Sequence, residues 1–499
     1  MTDHRLLERL RADLEAAHYD VGHLAEVLGA TAVAALEREN GLPAVLAARA
    51  TEDPAATLAR LFTLADPVPV ELAEGALPSL GVEGARRLGL VTGDGESVRA
   101  VLDLSPVDIG GQGWWLASDQ DSSATASPVL PDHVLGLGGA SRTLAELTVR
   151  TPVGSALDLG TGCGVQALAL SAHAGTVTGT DISPRALAYA RFNAALNGMT
   201  AQWREGSMLE PVAGEQFDLV VSNPPFVITP RGGALDTYTY RDGGRSGDDL
   251  VRDLVTSVGS VLAPGGLVQM LGNWEIPRGR RWTERVREWL DASGLDGWVI
   301  QREVLDPAHY AETWLRDGGI TAERDRAHWE TAAEAWMADF ASRQVMGIGF
   351  GYLVLRRPLS DDGTRRHRLE ELDGPVGPAL GQGIATSLRV ADLLASLDDG
   401  CELDLAPVVA TDVTEERHHI PGQPDPSVIL LRQGGGLGRV VRADTVLAAV
   451  VGACDGELTL GQITGGVAVL LEEGVGEVRA AVLPAIRELL VDGLLTLPE

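Results

Sequence analysis

The sequence contains no lysine, so its 40 basic residues are all arginines, and they face 70 acidic residues, which gives a formal net charge of −30. A charge of this size and sign disfavours loose binding to nucleic acids and to anionic membranes, because both carry the same sign. A local groove lined with arginine is still compatible with the composition. The charge therefore argues against a general nucleic-acid or membrane-surface binder and leaves a site-specific contact open.

Cysteine is scarce, and long apolar segments are missing. The three cysteines, Cys163, Cys401 and Cys454, lie far apart without CxxC spacing, so we expect neither a metal site nor a disulfide framework. No apolar run approaches the roughly 18 residues that a membrane-spanning helix needs. The N-terminal segment is a charged amphipathic pattern, unlike a signal peptide. These features predict a cytoplasmic protein with no membrane contact.

The sequence does contain a central region, about residues 109–357, in which strands and helices alternate. The predicted strands are SALDLGTG, GTVTGTDIS, FDLVVSNPP, GGLVQMLGN and FGYLVLRRP, with helical patterns between them. Such alternation is typical of βαβ units and a mostly parallel sheet that is covered on both faces. The predicted fold class is therefore α/β, with a doubly wound, Rossmann-like sheet. Ligands of such sheets bind beyond the carboxyl ends of the strands.

The regions on either side, residues 1–108 and 366–499, are predicted to be separate domains. The first carries apolar residues at helical spacing and ends in GDGESVRAVLDLSP, a short hairpin with a glycine turn. The last ends in three predicted helices and a short strand. Helices closed by a small β-wing favour a winged-helix-like module at each end. Because the N-terminal module has few arginines among many acids, we expect it to pack or to present a substrate, and not to bind DNA.

A glycine-rich loop follows the first strand of the central region. In ALDLGTGCGVQALAL, Gly160, Gly162 and Gly164 lie between an apolar strand and a helix. Glycine permits a tight turn and a close approach of the backbone to a ligand. The G-x-G-x-G spacing differs from the G-x-G-x-x-G of dinucleotide-binding loops, which argues against an NAD-dependent enzyme. The next strand ends at Asp181, whose carboxylate can accept hydrogen bonds from both hydroxyls of a ribose.

The segments DLGTGCG, GTDISPRAL and FNAALNG resemble class I S-adenosylmethionine (SAM)-dependent methyltransferases. The resemblance implies SAM as the cofactor, with the glycine loop under its methionine part and the acid after the second strand on its ribose. An acid at position 158 suits the cationic sulfonium of SAM. At position 207 this chain has a serine where the family usually has an acid near the adenine amine. The implied cofactor-binding residues are Asp158, Gly160, Thr161, Gly162, Gly164, Asp181, Ile182, Ser207, Met208 and Asn223.

The predicted catalytic residues are the turn after the strand FDLVVS, namely Asn223, Pro224, Pro225 and Phe226. Proline lacks an N–H donor, so the turn exposes the Asn223 side-chain oxygen and the Pro224 carbonyl as acceptors. Two converging acceptors can hold an NH2 group with its lone pair directed at a methyl donor and stabilise the positive charge that develops on nitrogen. Phe226 offers a flat face to a planar amide or base.

This turn is similar to the [ND]-P-P-[YFW] motif of methyltransferases that modify amide or exocyclic nitrogens, and two groups of them compete. The segment YRDGGRSGDDLVRDLVTSVGSVLAPGGL resembles the release-factor glutamine methyltransferases. The NPPF turn and the asparagine of MLGNW are similar to the ribosomal RNA guanine-N2 methyltransferases. The resemblance covers about residues 150–275, and the flanking modules match neither group. The acidic composition slightly favours a protein substrate of the release-factor kind over RNA.

The predicted function is thus SAM-dependent methyl transfer to a planar amide or exocyclic amine nitrogen, with protein glutamine favoured and guanine-N2 of ribosomal RNA as the alternative. A hypothesis of another class is a non-catalytic SAM-binding scaffold protein, against which the intact NPPF turn argues. Aromatic-rich segments on either side of the central strands are expected to roof the substrate pocket. Their residues are Trp114, Trp115, His309, Tyr310 and Trp314.

Overall fold

The structure is a computed structural model that describes residues 3–93, 95–120, 130–231, 240–359, 363, 365–372, 374, 377, 380–398 and 400–498. It contains two compact units. The first comprises Met1–Ala145 and Pro152–Glu371, and the second comprises Glu146–Thr151 and Leu372–Glu499. The predicted domains 1–108 and 109–357 thus both lie largely in the first unit, whereas most of 366–499 lies in the second.

The N-terminal part of the first unit is helical, as the apolar spacing predicts. Aspartates cap its helices: Asp3, Asp20 and Asp53 each accept a hydrogen bond from a first-turn backbone N–H. A three-stranded sheet follows with the order Val68–Pro69, Ser97–Ala100, Val91–Gly93, and a longer hairpin joins Asp103–Ile109 to Gln112–Ser118. The helices are His4–Ala16, Val21–Leu28, Ala30–Leu36, Leu42–Arg49, Pro54–Leu58, Val70–Ala76 and Gly81–Leu88.

An eight-stranded sheet forms the centre of the first unit. Its strands are β1 (Val153–Leu159), β2 (Ala174–Asp181), β3 (Gln202–Glu205), β4 (Phe217–Ser222), β5 (Leu262–Pro277), β6 (Asp296–Leu305), β7 (Val345–Arg356) and β8 (His367–Glu371). They lie in the order β3-β2-β1-β4-β5-β7-β6-β8. All neighbours pair in parallel except β7, which is antiparallel to both β5 and β6. The predicted mostly parallel sheet is confirmed.

The helices of the sheet region cover its two faces. They are Gly139–Leu147, Val165–Leu170, Pro184–Leu196, Asp249–Ser257, Trp282–Ser293, Pro307–Asp317 and Arg326–Ser342. The inner strands are apolar without alternation because both faces are buried; for example, the stretch 267–274 of β5 is buried at every position. The strand order reverses between β1 and β4, so their carboxyl ends open a crevice there.

The last two of these helices, Pro307–Asp317 and Arg326–Ser342, form a helical hairpin between β6 and β7. An aromatic core holds the hairpin together around Tyr310, Trp336 and Phe340, all of which are buried. Val227 and Ile228, which directly follow the NPPF turn, belong to the same core. The hairpin therefore supports the segment at the carboxyl end of β4.

The second unit combines helices with short antiparallel strands. Val413–His419, Pro426–Gln433 and Val440–Ala443 form one sheet, and Val408–Val409 pairs with Leu495–Thr496. The three predicted helices are present as Thr445–Gly452, Leu460–Leu471 and Val475–Val491, after an earlier helix, Leu380–Ser396. The second of the three begins with a capping box between Thr459 and Gln462. In the part of the chain that the structure describes, no helix has the length and apolar character that a membrane span requires.

Candidate active site

A cavity of about 1000 Å³ opens at the carboxyl ends of β1, β2, β3 and β4 in the first unit. Its position follows from the parallel pairing of these strands, which brings the loops after them to one edge of the sheet. Most of the residues predicted from sequence line this cavity. They are Asp158, Gly160, Thr161, Gly162, Asp181, Ile182, Ser207, Met208, Asn223 and Pro225.

The glycine loop after β1 presents its backbone to the cavity. Gly160 and Gly162 have φ angles of 74° and 57°, and a Cβ at either position would meet no atom within 4 Å. That open space is what a ligand lying against the backbone requires. Gly164 differs, because a Cβ there would lie 3.4 Å from Ala190, and this glycine is not among the described residues of the cavity wall. Gly164 instead lets the chain turn tightly into the helix Val165–Leu170.

Asp158 is buried at the floor of the cavity. Its Oδ2 accepts hydrogen bonds from Thr161 Oγ1 at 2.5 Å and from the Ala167 N–H at 2.9 Å. Burial disfavours the charged form and raises the pKa of Asp158 to about 7, the two hydrogen bonds acting in the opposite direction and the charge of Asp181 adding to the rise. A carboxyl in this state responds strongly to a charge placed next to it.

Asp181 joins the end of β2 to the glycine loop. Its Oδ2 accepts from the Gly162 N–H at 2.9 Å, and its Oδ1 accepts from the Ser183 N–H at 2.8 Å. A carboxylate offers about four acceptor positions, so each oxygen can accept a further bond from a ligand hydroxyl. Burial raises the pKa of Asp181 above its ordinary value. The side chain of Ile182, the next residue, is 59% exposed and supplies an apolar surface in the cavity wall.

The loop after β3 places Ser207 and Met208 in the wall, with Met208 at a left-handed φ of 46°. The Gly206 N–H donates to the Asp181 carbonyl at 3.0 Å, which ties this loop to the end of β2. Glu210 also lines the cavity. Position 207 holds a serine, and the acid three residues later was not predicted from the sequence. The signal available in the sequence was an acid directly before a proline, in the first turn of the short helix Glu210–Val212.

The structure separates the four residues of the NPPF turn. Asn223 and Pro225 line the cavity, whereas Pro224 is buried and its carbonyl accepts the Phe226 N–H at 2.8 Å. The Phe226 ring packs edge-to-face on Phe350, with centroids 6.3 Å apart, and lies outside the cavity wall in the described part of the chain. The prediction that Phe226 presents its face to a substrate is therefore not supported by its position.

The backbone beyond the turn is held on both sides. The Val227 N–H donates to the Arg241 carbonyl at 2.8 Å, and the Ile228 N–H donates to the Tyr310 hydroxyl at 3.0 Å. Arg241 in turn donates to the Trp314 carbonyl at 2.8 Å and pairs with Asp317. The chain directly after the NPPF turn is thus attached to the segment 240–245 and to the helical hairpin.

The segment 240–245 also lines the cavity, with Tyr240, Asp242 and the residues that follow. Arg231 donates to Asp242 Oδ2 at 3.0 Å and to the Arg245 carbonyl at 2.7 Å. Arg245 Nε lies 4.0 Å from Asp253 Oδ2. Both arginines of this wall are therefore engaged with carboxylates of the chain itself.

A wall that the sequence analysis missed comes from residues 132–136, which precede β1 by more than a helix. The Val134 N–H donates to Asp119 Oδ2 at 2.8 Å, and the Cys163 thiol donates to the Leu135 carbonyl at 3.0 Å. Asp119 also binds Arg185 and the Tyr189 hydroxyl; although burial opposes ionisation, these bonds hold the pKa of Asp119 below its ordinary value. The residues in these contacts lie far apart in sequence, so no local sequence pattern predicts them.

The expected aromatic roof is wrong for the residues named. Trp114 is buried in the N-terminal core, and the Trp115 indole donates to the Tyr19 carbonyl at 2.7 Å. Tyr310 is buried in the helical hairpin, and His309 is exposed at its N-terminal end. Within the described ranges, none of the five predicted roof residues lines the cavity.

Comparison with known proteins agrees with this geometry. Residues 136–289 match the family model described as "Methyltransferase small domain", and residues 16–101 match a domain of unknown function, DUF7059. The first match includes the glycine loop, Asp181 and the NPPF turn. The second lies within the helical N-terminal part.

The curated proteins that are similar in sequence to this chain are also named methyltransferases. The chain is 42% identical over 118 residues to the release factor glutamine methyltransferase of Deinococcus radiodurans, covering 22% of this chain and 42% of that protein. It is 37% identical over 157 residues to the enzyme of that name from Geobacter sulfurreducens, covering 29% and 53%. It is 30% identical over 138 residues to the ribosomal RNA small subunit methyltransferase C of Alcanivorax borkumensis, covering 28% and 35%.

The chain thus spans about half or less of the length of these relatives, and it resembles both groups that the sequence analysis named. The match to the family model, the strand order and the cavity at the strand ends agree with one another. Residues 136–289 of this chain are therefore similar to a methyltransferase domain, and they supply the first five strands of a Rossmann-like sheet.

Proposed function

We propose that this protein is a SAM-dependent N-methyltransferase that modifies a side-chain amide of a protein substrate. One observation carries the proposal: Asn223 and Pro225 line the same cavity as the open glycines of the β1 loop and the carboxylate of Asp181. A cofactor held at the loop and a nitrogen held at Asn223 would share that one cavity. The relatives named above support the reaction type.

The residues present suit SAM. Backbone without side chains at Gly160 and Gly162 leaves room for its methionine part, and Asp181 has acceptor positions for the two ribose hydroxyls. Ile182 offers an exposed apolar face for the adenine ring, and the acid Glu210 lies in the same wall for its amine. When bound, SAM would supply an electrophilic methyl group on a cationic sulfur. Asp158 would lie beneath that charge, with a carboxyl that a nearby cation would ionise.

In this proposal, Asn223 holds the substrate nitrogen that receives the methyl group. Its side-chain oxygen accepts from the NH2 group of the substrate and holds the nitrogen lone pair toward the methyl donor. The second acceptor predicted from the sequence, the Pro224 carbonyl, accepts the Phe226 N–H, and Pro224 lies outside the described cavity wall. An amide nitrogen is a weak nucleophile, so acceptors that stabilise its developing positive charge act most strongly in the transition state.

The charge of the cavity wall favours a protein amide over RNA. Among the described residues that line it, six are acidic and two are arginines, and both arginines contact acids of the chain. Binding RNA would require cations that neutralise phosphates. An uncharged glutamine or asparagine side chain makes no such demand.

The decisive variant is Asn223→Ala. Methyl transfer from labelled SAM to protein substrates of a cell extract should decrease by at least about 100-fold, since one lost transition-state hydrogen bond costs a factor of about 10² to 10³. The affinity for S-adenosylhomocysteine, measured by calorimetry, should stay within about twofold, because the loop and Asp181 are untouched. Asn40→Ala, at an exposed asparagine of the N-terminal part, is the control and should leave both quantities unchanged.

Three results would contradict the proposal. Full transfer activity in the Asn223→Ala variant would remove Asn223 from the reaction. Label that accumulates in ribosomal RNA and not in protein, when extract fractions are separated and analysed by mass spectrometry, would replace the protein amide with a guanine amine. Binding of SAM and of S-adenosylhomocysteine without methyl transfer to any fraction would favour the scaffold hypothesis.

A further inference from the structure

Tyr310 lies in the helical hairpin, outside the cavity wall, yet its hydroxyl contacts the segment that carries the catalytic turn. The Ile228 N–H donates to this hydroxyl at 3.0 Å, two residues after Phe226. Asn273 Nδ2, from the middle of β5, donates to the same oxygen at 3.0 Å. One buried oxygen thus joins the helix Pro307–Asp317, the strand β5 and the chain that leaves β4.

The ring of Tyr310 makes a second connection to the turn. It stacks on Phe350 with centroids 5.6 Å apart and planes inclined by 25°. Phe350 in turn contacts the ring of Phe226 at 6.3 Å. On its other sides the Tyr310 ring packs against Trp336 and Phe340, at 5.7 and 5.6 Å. A continuous chain of ring contacts therefore extends from the hairpin to the last residue of the NPPF turn.

These contacts leave the turn little freedom. Pro224 and Pro225 fix their own φ angles, but the residues after them need other restraints. Ile228 is fully buried, so its N–H must be paired inside the protein, and the Tyr310 hydroxyl provides that partner. Reacting groups must be held to a fraction of an ångström, because a misplacement of about 1 Å costs about 100-fold in rate.

We infer that Tyr310 is a positioning residue, which sets the orientation of Asn223 through the Ile228 N–H and through the edge-to-face contact between Phe350 and Phe226. The inference rests on the proposed function, because it assigns Tyr310 a role in the reaction of that site. Tyr310 touches neither cofactor nor substrate. Its role is to hold the acceptors of the turn in register with the methyl donor.

Tyr310→Phe tests this, since it removes the hydroxyl and keeps the ring. The kcat for methyl transfer should decrease by about tenfold or more, whereas the KM for the methyl donor and the affinity for S-adenosylhomocysteine should change by less than about twofold. Amide hydrogen exchange of the peptide that contains Ile228 should become faster in the variant without added ligand. This second readout requires no activity.

The matched control is Tyr19→Phe. Tyr19 is equally buried, and its hydroxyl also has two partners, Thr63 Oγ1 at 2.8 Å and the Leu104 carbonyl at 2.9 Å. It lies in the N-terminal part, outside the described cavity wall. The control should lower the melting temperature about as much as Tyr310→Phe does, without a change in kcat or in exchange at Ile228.

The outcomes separate this inference from the proposed function. An inactive wild-type protein would overturn the proposed function and, with it, the positioning role. Amide hydrogen exchange at Ile228 would still report the contact between Ile228 and Tyr310 in that case. An active wild type with unchanged kcat in Tyr310→Phe would overturn the inference alone. Losses of kcat in Tyr310→Phe and Tyr19→Phe that only follow the decrease in melting temperature of each variant would also overturn the inference. If Tyr310→Phe does not fold, Phe350→Leu must show the same selective loss of kcat, and an unchanged kcat there would overturn the inference.

Discussion

At the scale of single residues, two acids at neighbouring strand ends have different states. Both line the cavity, but Asp158 is almost fully buried with a pKa of about 7, whereas Asp181 is partly exposed and is held by two backbone N–H groups. Asp158 is therefore about half ionised at neutral pH in the free protein. A cationic ligand beside it should favour the ionised form, which makes this carboxyl the natural reporter of a sulfonium in the cavity.

We therefore expect the affinity for SAM to increase as the pH rises from about 6 to about 8. The ionised carboxylate binds the cation, and its population grows as the pH passes the pKa of the free protein, about 7. Binding should release protons in calorimetry at pH 7 with buffers of different ionisation enthalpy. S-adenosylhomocysteine, with a neutral sulfur, should release fewer.

Asp158→Asn is the control for this experiment, since it keeps an acceptor for the Ala167 N–H and cannot ionise. In that variant the two ligands should show the same pH dependence. An equal pH dependence for both ligands in the wild type would show that no cation lies beside Asp158.

At the scale of elements, the helix Pro307–Asp317 holds both the chain after the NPPF turn and the segment 240–245 of the cavity wall. Tyr310 accepts from Ile228, while Arg241 donates to the Trp314 carbonyl and pairs with Asp317. Tyr240 Oη also donates to Asp317 Oδ2 at 2.9 Å. The two attachments act on different parts of the site, so they should affect different kinetic constants.

Replacing Arg241 with Met should raise the KM for the protein substrate several-fold, with a smaller change in kcat and an unchanged affinity for S-adenosylhomocysteine. The segment 240–245 loses its anchor, whereas the turn keeps its bond to Tyr310. Steady-state kinetics with a purified substrate measure this. Arg60→Met is the matched control, because Arg60 is also largely buried and pairs with Asp66. A variant that lowered kcat alone would contradict the assignment.

At the scale of the whole molecule, the helical N-terminal part and the methyltransferase sheet share one core. A single hydrophobic cluster includes Leu10 and Leu14 of the first helix together with Tyr189, Phe192 and Leu196 of the helix after β2. Polar bonds reinforce it: Asn193 Oδ1 accepts from the Ala117 N–H at 2.7 Å, and its Nδ2 donates to the Ala117 carbonyl at 2.9 Å and to the Cys163 carbonyl at 2.8 Å. The two parts should therefore unfold together.

We expect Asn193→Leu to lower the free energy of unfolding by at least about 3 kcal/mol, because it leaves three buried backbone groups without this partner at about 1–3 kcal/mol each. Calorimetry of the first unit's transition should show one peak in the wild type and one shifted peak in the variant. Separate transitions for the N-terminal part and the sheet would show that the shared core does not couple them. Asn40→Ala removes only an exposed hydrogen bond from the Leu42 N–H and should shift the peak much less.

The local motifs were predictable because their chemistry depends on neighbours in sequence. Gly160, Gly162, Asp181 and Asn223 follow apolar strands directly, and parallel pairing brings such strand ends together in any doubly wound sheet. The short polar strand β3 and the strand β6 escaped prediction, because neither has an apolar pattern as clear as that of the inner strands. Glu210 and residues 132–136 were missed since only the folded chain brings them to the cavity.

By itself, the sequence determined the sheet class, the order of glycine loop, acid and NPPF turn, and hence the kind of reaction that the cavity can support. Tertiary structure decided where each side chain points. The Phe226 ring packs on Phe350 and lies outside the described cavity wall. Tyr310 does not cover the cavity but contacts the chain after the NPPF turn. Arg231 and Arg245 pair with acids of the chain. The physical reason is that motif chemistry is set by contiguous residues, whereas side-chain orientation depends on packing partners tens to hundreds of residues away.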